Sequence, residues 1–196
     1  MTGVMRAVVV DAPGPPEVLR QRLVPIPDPA QGEVLIRVRA FGLNRSELHF
    51  RRGQATSGSF PRIPGIEAVG TVEDAPGGEF EAGAQVATMM GGMGREFDGG
   101  YAEYVRVPAG QVIGFTSSLP WATLGAVPEM LQTAAGSLDV GVRARPGESL
   151  LIRGGGGPPR AAWPWPCWRS CVACGCWPPP ATPARPGGCA GWGSTT

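Results

Sequence analysis

Residues 32–53 read "GEVLIRVRAFGLNRSELHFRRG", and the period of the apolar residues changes partway through. Val34, Ile36 and Val38 alternate with Leu35, Arg37 and Arg39, which is the two-residue period of a half-buried strand. After Gly42 the alternation stops. "NRSELHFRRG" predicts a short helix, capped by Asn44 or Ser46 and ended by Gly53. The polar side chains can accept an orphan N–H of the first turn, and glycine tolerates the left-handed conformation that closes a helix.

Other strand-type stretches flank this one. "MRAVVV" is broken by "DAPGPP", "GIEAVGTVEDA" carries glycines at its bends, "QVATMM" follows "EAGA", and "GYAEYVRVP" follows "FDG". Turn signals recur about every ten residues, a spacing that predicts a mostly antiparallel sandwich or barrel. Bulk properties narrow the class. The 196 residues have a formal net charge of +1, so nothing marks a nucleic-acid partner. No apolar run reaches the roughly 18 residues of a membrane span. Val8–Val10 is followed at once by Asp11 and Pro13, which reads as a first strand and turn rather than a secretory signal. The expectation is a cytoplasmic protein with no membrane partner.

The motifs "RAVVVDAPGPPEVL", "PIPDPAQGEVLIRVRAFGLNRSELHFRRG", "PRIPGIEAVGTVE", "GAQVATMMGGMG" and "FDGGYAEYVRVPA" occur in order. Together they resemble the GroES-like catalytic domain of the medium-chain dehydrogenase/reductase superfamily, in particular its zinc-independent quinone oxidoreductase branch. The resemblance implies a mainly β, GroES-like, partly open barrel over residues 1–125. The connecting helix and first strand of an α/β Rossmann domain would follow over 126–155, and an irregular tail over 156–196.

The zinc enzymes of this superfamily place a Cys near the start of the first helix and a His before the Glu of a "PGHE" segment. This chain has "LNRSELHF" and "PGIEAVG", with Ile66 in the place of the His. A catalytic zinc needs three or four Cys, His or carboxylate ligands, and Glu67 alone cannot hold one. His49, the single His, reads as a solvated or half-packed helix residue. No zinc is expected. The resemblance implies NADPH as cofactor and hydride transfer to a small-molecule quinone or enone, with a homodimer possible in an intact parent. It also implies that Asn44 faces the nicotinamide ribose, although the sequence is equally consistent with a helix cap. Tyr101 and Tyr104 are spaced by three, so one is expected in the core and one exposed.

Leu124, Val127, Met130, Leu131, Ala134, Ala135 and Leu138 recur at helical spacing, and Gly147 offers a turn before the apolar strand "SLLIRG". By resemblance Thr133 lies near the nicotinamide; the alternative is a Thr on the helix surface. Gly154 and Gly155 would open the phosphate-binding turn. A Rossmann unit next needs a helix and a second strand. The chain instead gives "GGPPRAAWPWPCWRS", where Pro164 and Pro166 would each cost a helix about 3 kcal/mol.

The region from residue 154 on differs from the rest in composition. Residues 1–153 hold no Cys, whereas Cys167, Cys171, Cys174, Cys176 and Cys189 all follow, with five of the six Trp. A zinc knuckle lacks a second regular Cys pair, a disulfide framework conflicts with the odd count, and disordered tails are poor in Trp and Cys. Out-of-frame translation accounts for more. Starting each codon at the third base of the written one, and choosing the free bases, turns "GPPRAAWPWPCWRSC" into "TSSGGLAVAVLAKL". Trp163, Trp165 and Trp177 each precede Pro and leave no choice but Ala. The shifted text supplies the missing turn and helix, so the cofactor domain is expected to be shortened and impaired in the chain as written. Two alternatives remain at this stage: a non-catalytic GroES-like binding module, and an enoyl-reductase-type member of the same superfamily.

Overall fold

The computed structural model describes residues 3–55 and 57–145. Gly154, Gly155 and the tail from 156 therefore lie outside the described residues. The chain divides into two compact units, residues 1–129 and residues from 130 on.

The first unit is built from antiparallel strands. β1 (Val4–Val9) pairs with β2 (Arg20–Pro25), Val4 opposite Pro25 and Val9 opposite Arg20. A five-stranded sheet contains β3 (Glu33–Ala40), β4 (Glu67–Asp74), β5 (Gln85–Met89), β6 (Tyr104–Pro108) and β7 (Val112–Gly114), in the order β6-β3-β4-β5-β7. The two sheets are stitched together just before β6. Ala7 bridges to Ala102, the Val8 N–H donates to the Tyr101 carbonyl (2.8 Å), and the Glu103 N–H donates to the Arg6 carbonyl (3.1 Å). The product is a curled half-barrel, as the turn spacing led one to expect. β2 was not evident from sequence because it buries almost nothing; its edge is studded with Arg20 and Arg22 and closed by Pro25, features that discourage further strand pairing.

Alternation explains most of the core. Val34, Ile36, Val72, Val86, Val105 and Val107 pack around Met93 inside the half-barrel. Met5, Ala7, Val9, Ile63 and Ala102 fill a second cluster under β1. Val69 and Ala87 point the other way, against Leu124 of α2 (Trp121–Leu124). β4 is thus covered on both faces, which accounts for its unbroken buried run from Glu67 to Gly70. β3 departs from strict alternation at Leu35, which is fully buried beside Val34 and Ile36. Pairing with β6 is regular there, Val34 opposite Val107, Leu35 opposite Arg106 and Ile36 opposite Val105, so Leu35 is buried on the face of β3 opposite Val34 and Ile36. On the other side β4 carries one extra residue, Glu73, because Leu35 opposes Asp74 but Ile36 opposes Val72.

The short helix forms where expected. α1 (Arg45–Arg51) has Asn44 as N-cap, with Glu47 completing a capping box, and Gly53 follows at φ 70°. Tyr101 and Tyr104 are both half-buried, each packed against the second cluster, so the expected division into one core and one exposed residue does not hold. A continuous helix through residues 124–138 also does not form. The chain makes α2, breaks at Gly125–Val127, and restarts as α3 (Pro128–Ala135). Proline lacks the N–H of a helix interior and disfavours helical geometry in the residue before it, so helical spacing across Pro128 is misleading.

In the second unit, α3 runs into a wider π-type turn, Gly136–Gly141. It closes with the Val142 N–H donating to the Ser137 carbonyl and the Ala144 N–H to the Leu138 carbonyl, both at 2.9 Å. Among the described residues no helix is long and apolar enough to cross a membrane.

Candidate active site

Two carboxylates are buried side by side in the first unit, Glu47 at 7% exposure and Glu67 at 2%. Neither has an ion-pair partner among the described residues. Burial without a counter-charge is costly unless hydrogen bonds replace the lost water, and here they do. Glu47 Oε1 accepts from the Ile66 N–H (3.0 Å) and Oε2 from the Asn44 N–H (2.8 Å). Glu67 Oε1 accepts from Asn44 Nδ2 (2.7 Å) and Oε2 from the Glu129 N–H (2.9 Å). Glu129 is the second residue of α3, so the Glu67 carboxylate fills the place of a helix cap, where negative charge is favoured.

Local backbone makes this possible. Gly42 lies so close that a Cβ there would come within 2.1 Å of Glu67 Oε1. Gly65, at φ 110°, turns the chain into β4 against Gly100 and Tyr101, and a Cβ would stand 2.7 Å from the Gly100 nitrogen. Tyr101 stacks on Phe41 with ring centroids 4.7 Å apart.

These surroundings move protons. Burial raises the Glu47 carboxyl above its ordinary value, the N–H groups of Ile66, Glu47 itself and Asn44 oppose that, and the Glu67 charge adds to it. Burial likewise raises Glu67, against the pull of the Glu129 N–H and the Asn44 amide. Burial also raises the Tyr101 phenol, helped by the charges of Glu47 and Glu67, so it keeps its proton.

Asn44 is therefore the helix cap and also the partner of Glu67. Thr133 stands exposed in α3, where its carbonyl accepts from Ser137 Oγ (2.8 Å); it belongs to the second unit. Gly154 and Gly155 lie outside the described residues. His49 is exposed and contacts Gln54 Oε1 through Nδ1 (3.0 Å). Sequence reading missed Glu47, although the Asn44-x-x-Glu47 spacing is a capping-box signal. It missed Gly42 because nothing in the sequence announces a close approach.

The described residues around Glu67 do not make a zinc ligand set. Around Glu67 stand an amide and the hydrocarbon of Ile66, and among the described residues no three His, Cys, Asp or Glu side chains converge.

A curled antiparallel half-barrel with buried carboxylates held between Asn44, Ile66 and Glu129 of the first unit defines the class. Residues 30–117 match the alcohol dehydrogenase GroES-like domain. The quinone oxidoreductase of Rattus norvegicus is 32% identical over 157 residues, covering 78% of this chain and 46% of its own. The crystal structure of an alcohol dehydrogenase superfamily protein from Novosphingobium aromaticivorans superposes with a TM-score of 0.70 at 30% identity, covering 78% and 47% of the two chains. A cobalt- and zinc-bound thermostable alcohol dehydrogenase from Pyrobaculum aerophilum gives 0.61 at 28% identity, covering 72% and 49%. The chain belongs to the medium-chain dehydrogenase/reductase superfamily, with a quinone-oxidoreductase-like relationship. It spans about half the length of the relatives it matches.

Proposed function

We propose that this chain carries the catalytic domain of a zinc-independent, NADPH-dependent oxidoreductase that reduces quinones or related α,β-unsaturated carbonyls. The observation that carries the zinc-independent part is the Asn44 Nδ2 to Glu67 Oε1 hydrogen bond, which fills the place where the zinc enzymes, by resemblance, gather ligands. The bound nicotinamide would supply the hydride. Asn44 of the GroES-like domain, and Thr133, Gly154 and Gly155 of a cofactor domain beginning at residue 126, are the residues proposed to hold it. The chain's own contribution is positional and electrostatic. Asn44 and Gly42 fix Glu67, Glu67 fixes the start of α3, and Tyr101 holds a proton beside the two carboxylates. We further propose that the tail over residues 156–196 impairs the cofactor site, because Pro164 and Pro166 fall where a phosphate-binding helix is required.

NADPH fluorescence titration tests both parts on two chains: this one, and one carrying the shifted-frame residues after Gly156. The restored chain should bind NADPH at micromolar levels and reduce a simple quinone without added zinc; this chain should do neither. Micromolar NADPH binding by this chain overturns the impairment. A folded restored chain that neither binds NADPH nor reduces quinone overturns the function.

A further inference from the structure

Among the described residues, two buried side-chain atoms lack a hydrogen-bond partner: Nε of Arg62 and Nε of Arg95. The two arginines differ. Arg62 is charge-compensated, with Nη1 3.3 Å from Asp98 Oδ1 and Nη2 donating to Ser59 Oγ at 2.9 Å. Arg95 has no carboxylate within ion-pair distance among the described residues. Its guanidinium is held by one contact, Nη2 donating to Ser46 Oγ.

A half-buried cation with an unmet N–H is unfavourable twice over, through the missing acceptor and the missing counter-charge. A carboxylate beside the guanidinium answers the missing counter-charge, because guanidinium and carboxylate match in charge and in planar geometry. The room exists. Arg95 lines a cavity of about 90 Å³ with Ser57, Ile66, Met90, Met93 and Glu96. One water needs only about 10–15 Å³ on this measure, so the cavity has room for a small carboxylate. The apolar walls of Ile66, Met90 and Met93 suit a short carbon chain behind it. Glu96, which also lines it, is exposed to solvent and makes no ion pair with Arg95.

The backbone ties this cavity to the buried carboxylates. The Met90 N–H donates to the Ile66 carbonyl (2.7 Å), and the Ile66 N–H donates to Glu47 Oε1 (3.0 Å). Ser46, which holds Arg95, directly precedes Glu47 in α1. We infer that Arg95 anchors the carboxylate of an unsaturated-acid substrate in this cavity. The reduction of that substrate rests on the function proposed above; the anchoring is read without cofactor.

The test is NMR of the full chain labelled at its methionine methyl groups, titrated with crotonate and with its neutral isostere crotonamide. Crotonate should shift the Met90 and Met93 methyls saturably, and crotonamide should bind roughly tenfold or more weakly. The crotonate shifts should vanish in Arg95→Gln. Because Arg95→Gln also loses the Ser46 contact, Met90→Trp provides a second variant that fills the cavity and keeps the arginine; it should abolish binding too. Equal shifts from both probes, no shift with either, or crotonate binding that survives in either folded variant would overturn the inference. None of these outcomes depends on NADPH binding, so failure here is distinct from failure of the proposed function.

Discussion

Asn44 Nδ2 donates to Glu67 Oε1 at 2.7 Å, joining the cap of the first helix to a carboxylate at the start of β4. The same Asn44 gives its backbone N–H to Glu47, and Glu67 receives the N–H of Glu129. One amide side chain thus links α1, β4 and the first turn of α3. Through it a change at residue 44 reaches a helix start 85 residues later, by way of hydrogen bonds that all lie within the first unit.

Asn44→Ala should destabilise the fold by about 2–4 kcal/mol. Loss of the cap contributes about 1 kcal/mol, and a buried Glu67 oxygen without its donor contributes about 1–3 kcal/mol. Asn44→Asp keeps a capping oxygen but places a second carboxylate against Glu67. Its deficit should therefore grow with pH above the ordinary carboxylate range, whereas that of Asn44→Ala should change less. Urea unfolding of both variants at acid and neutral pH separates the two terms.

The burial of Leu35 makes a prediction that simple alternation would contradict. Leu35 and Ile36 are both fully buried, whereas Arg37 is exposed. Leu35→Ala and Ile36→Ala should each cost roughly 2–5 kcal/mol by transfer and cavity terms. Arg37→Ala should stay within about 0.5 kcal/mol of the parent. If Leu35→Ala behaves like Arg37→Ala, Leu35 is not buried in solution and β3 has one wet face there.

The strands legible in sequence showed as apolar runs bounded by turn signals, whether one face is buried or, as in β4, both, and the short helix was legible through its cap and its closing glycine. What escaped was set by partners distant in the chain. Leu35 is buried on the face of β3 opposite Val34 and Ile36, and β2 is held by pairing with β1 rather than by its own burial. The helix break at Pro128 was present in the sequence but was hidden by apolar spacing on both sides of it. At the site, the absence of His at 66 was legible and the environment of Glu67 was not, because its donors come from residues 44 and 129.

Gly42→Ala tests the close approach directly. The added methyl would overlap Glu67 Oε1, and the Gly125 carbonyl 3.1 Å away limits its escape. The carboxylate must move and give up at least one donor, a loss of about 1–3 kcal/mol. The effect should be strongly non-additive with Glu67→Ala, since removing the carboxylate removes most of the clash. A double-mutant cycle with additive losses would place the strain elsewhere.

The pH dependence of stability follows from the signs of the shifts. Glu47 and Glu67 have folded-state pKa values above their ordinary ones, chiefly through burial. Above the unfolded-state value of about 4.3, the folded chain therefore binds more protons than the unfolded chain, and stability falls as pH rises. Their contribution is fully present below that value and is lost as pH rises through the raised folded values. Glu103 runs the opposite way: hydrogen bonds from the Arg6 backbone and side chain lower its pKa, so its contribution is present above the unfolded value and is lost as pH falls through the lowered one. Unfolding midpoints measured from pH 3 to pH 8 should thus show two limbs. Glu67→Gln should flatten the limb above the ordinary carboxylate range and leave the acid limb in place. Arg6→Ala should do the reverse. An upper limb unchanged in Glu67→Gln would mean that Glu67 carries no excess proton in the folded chain.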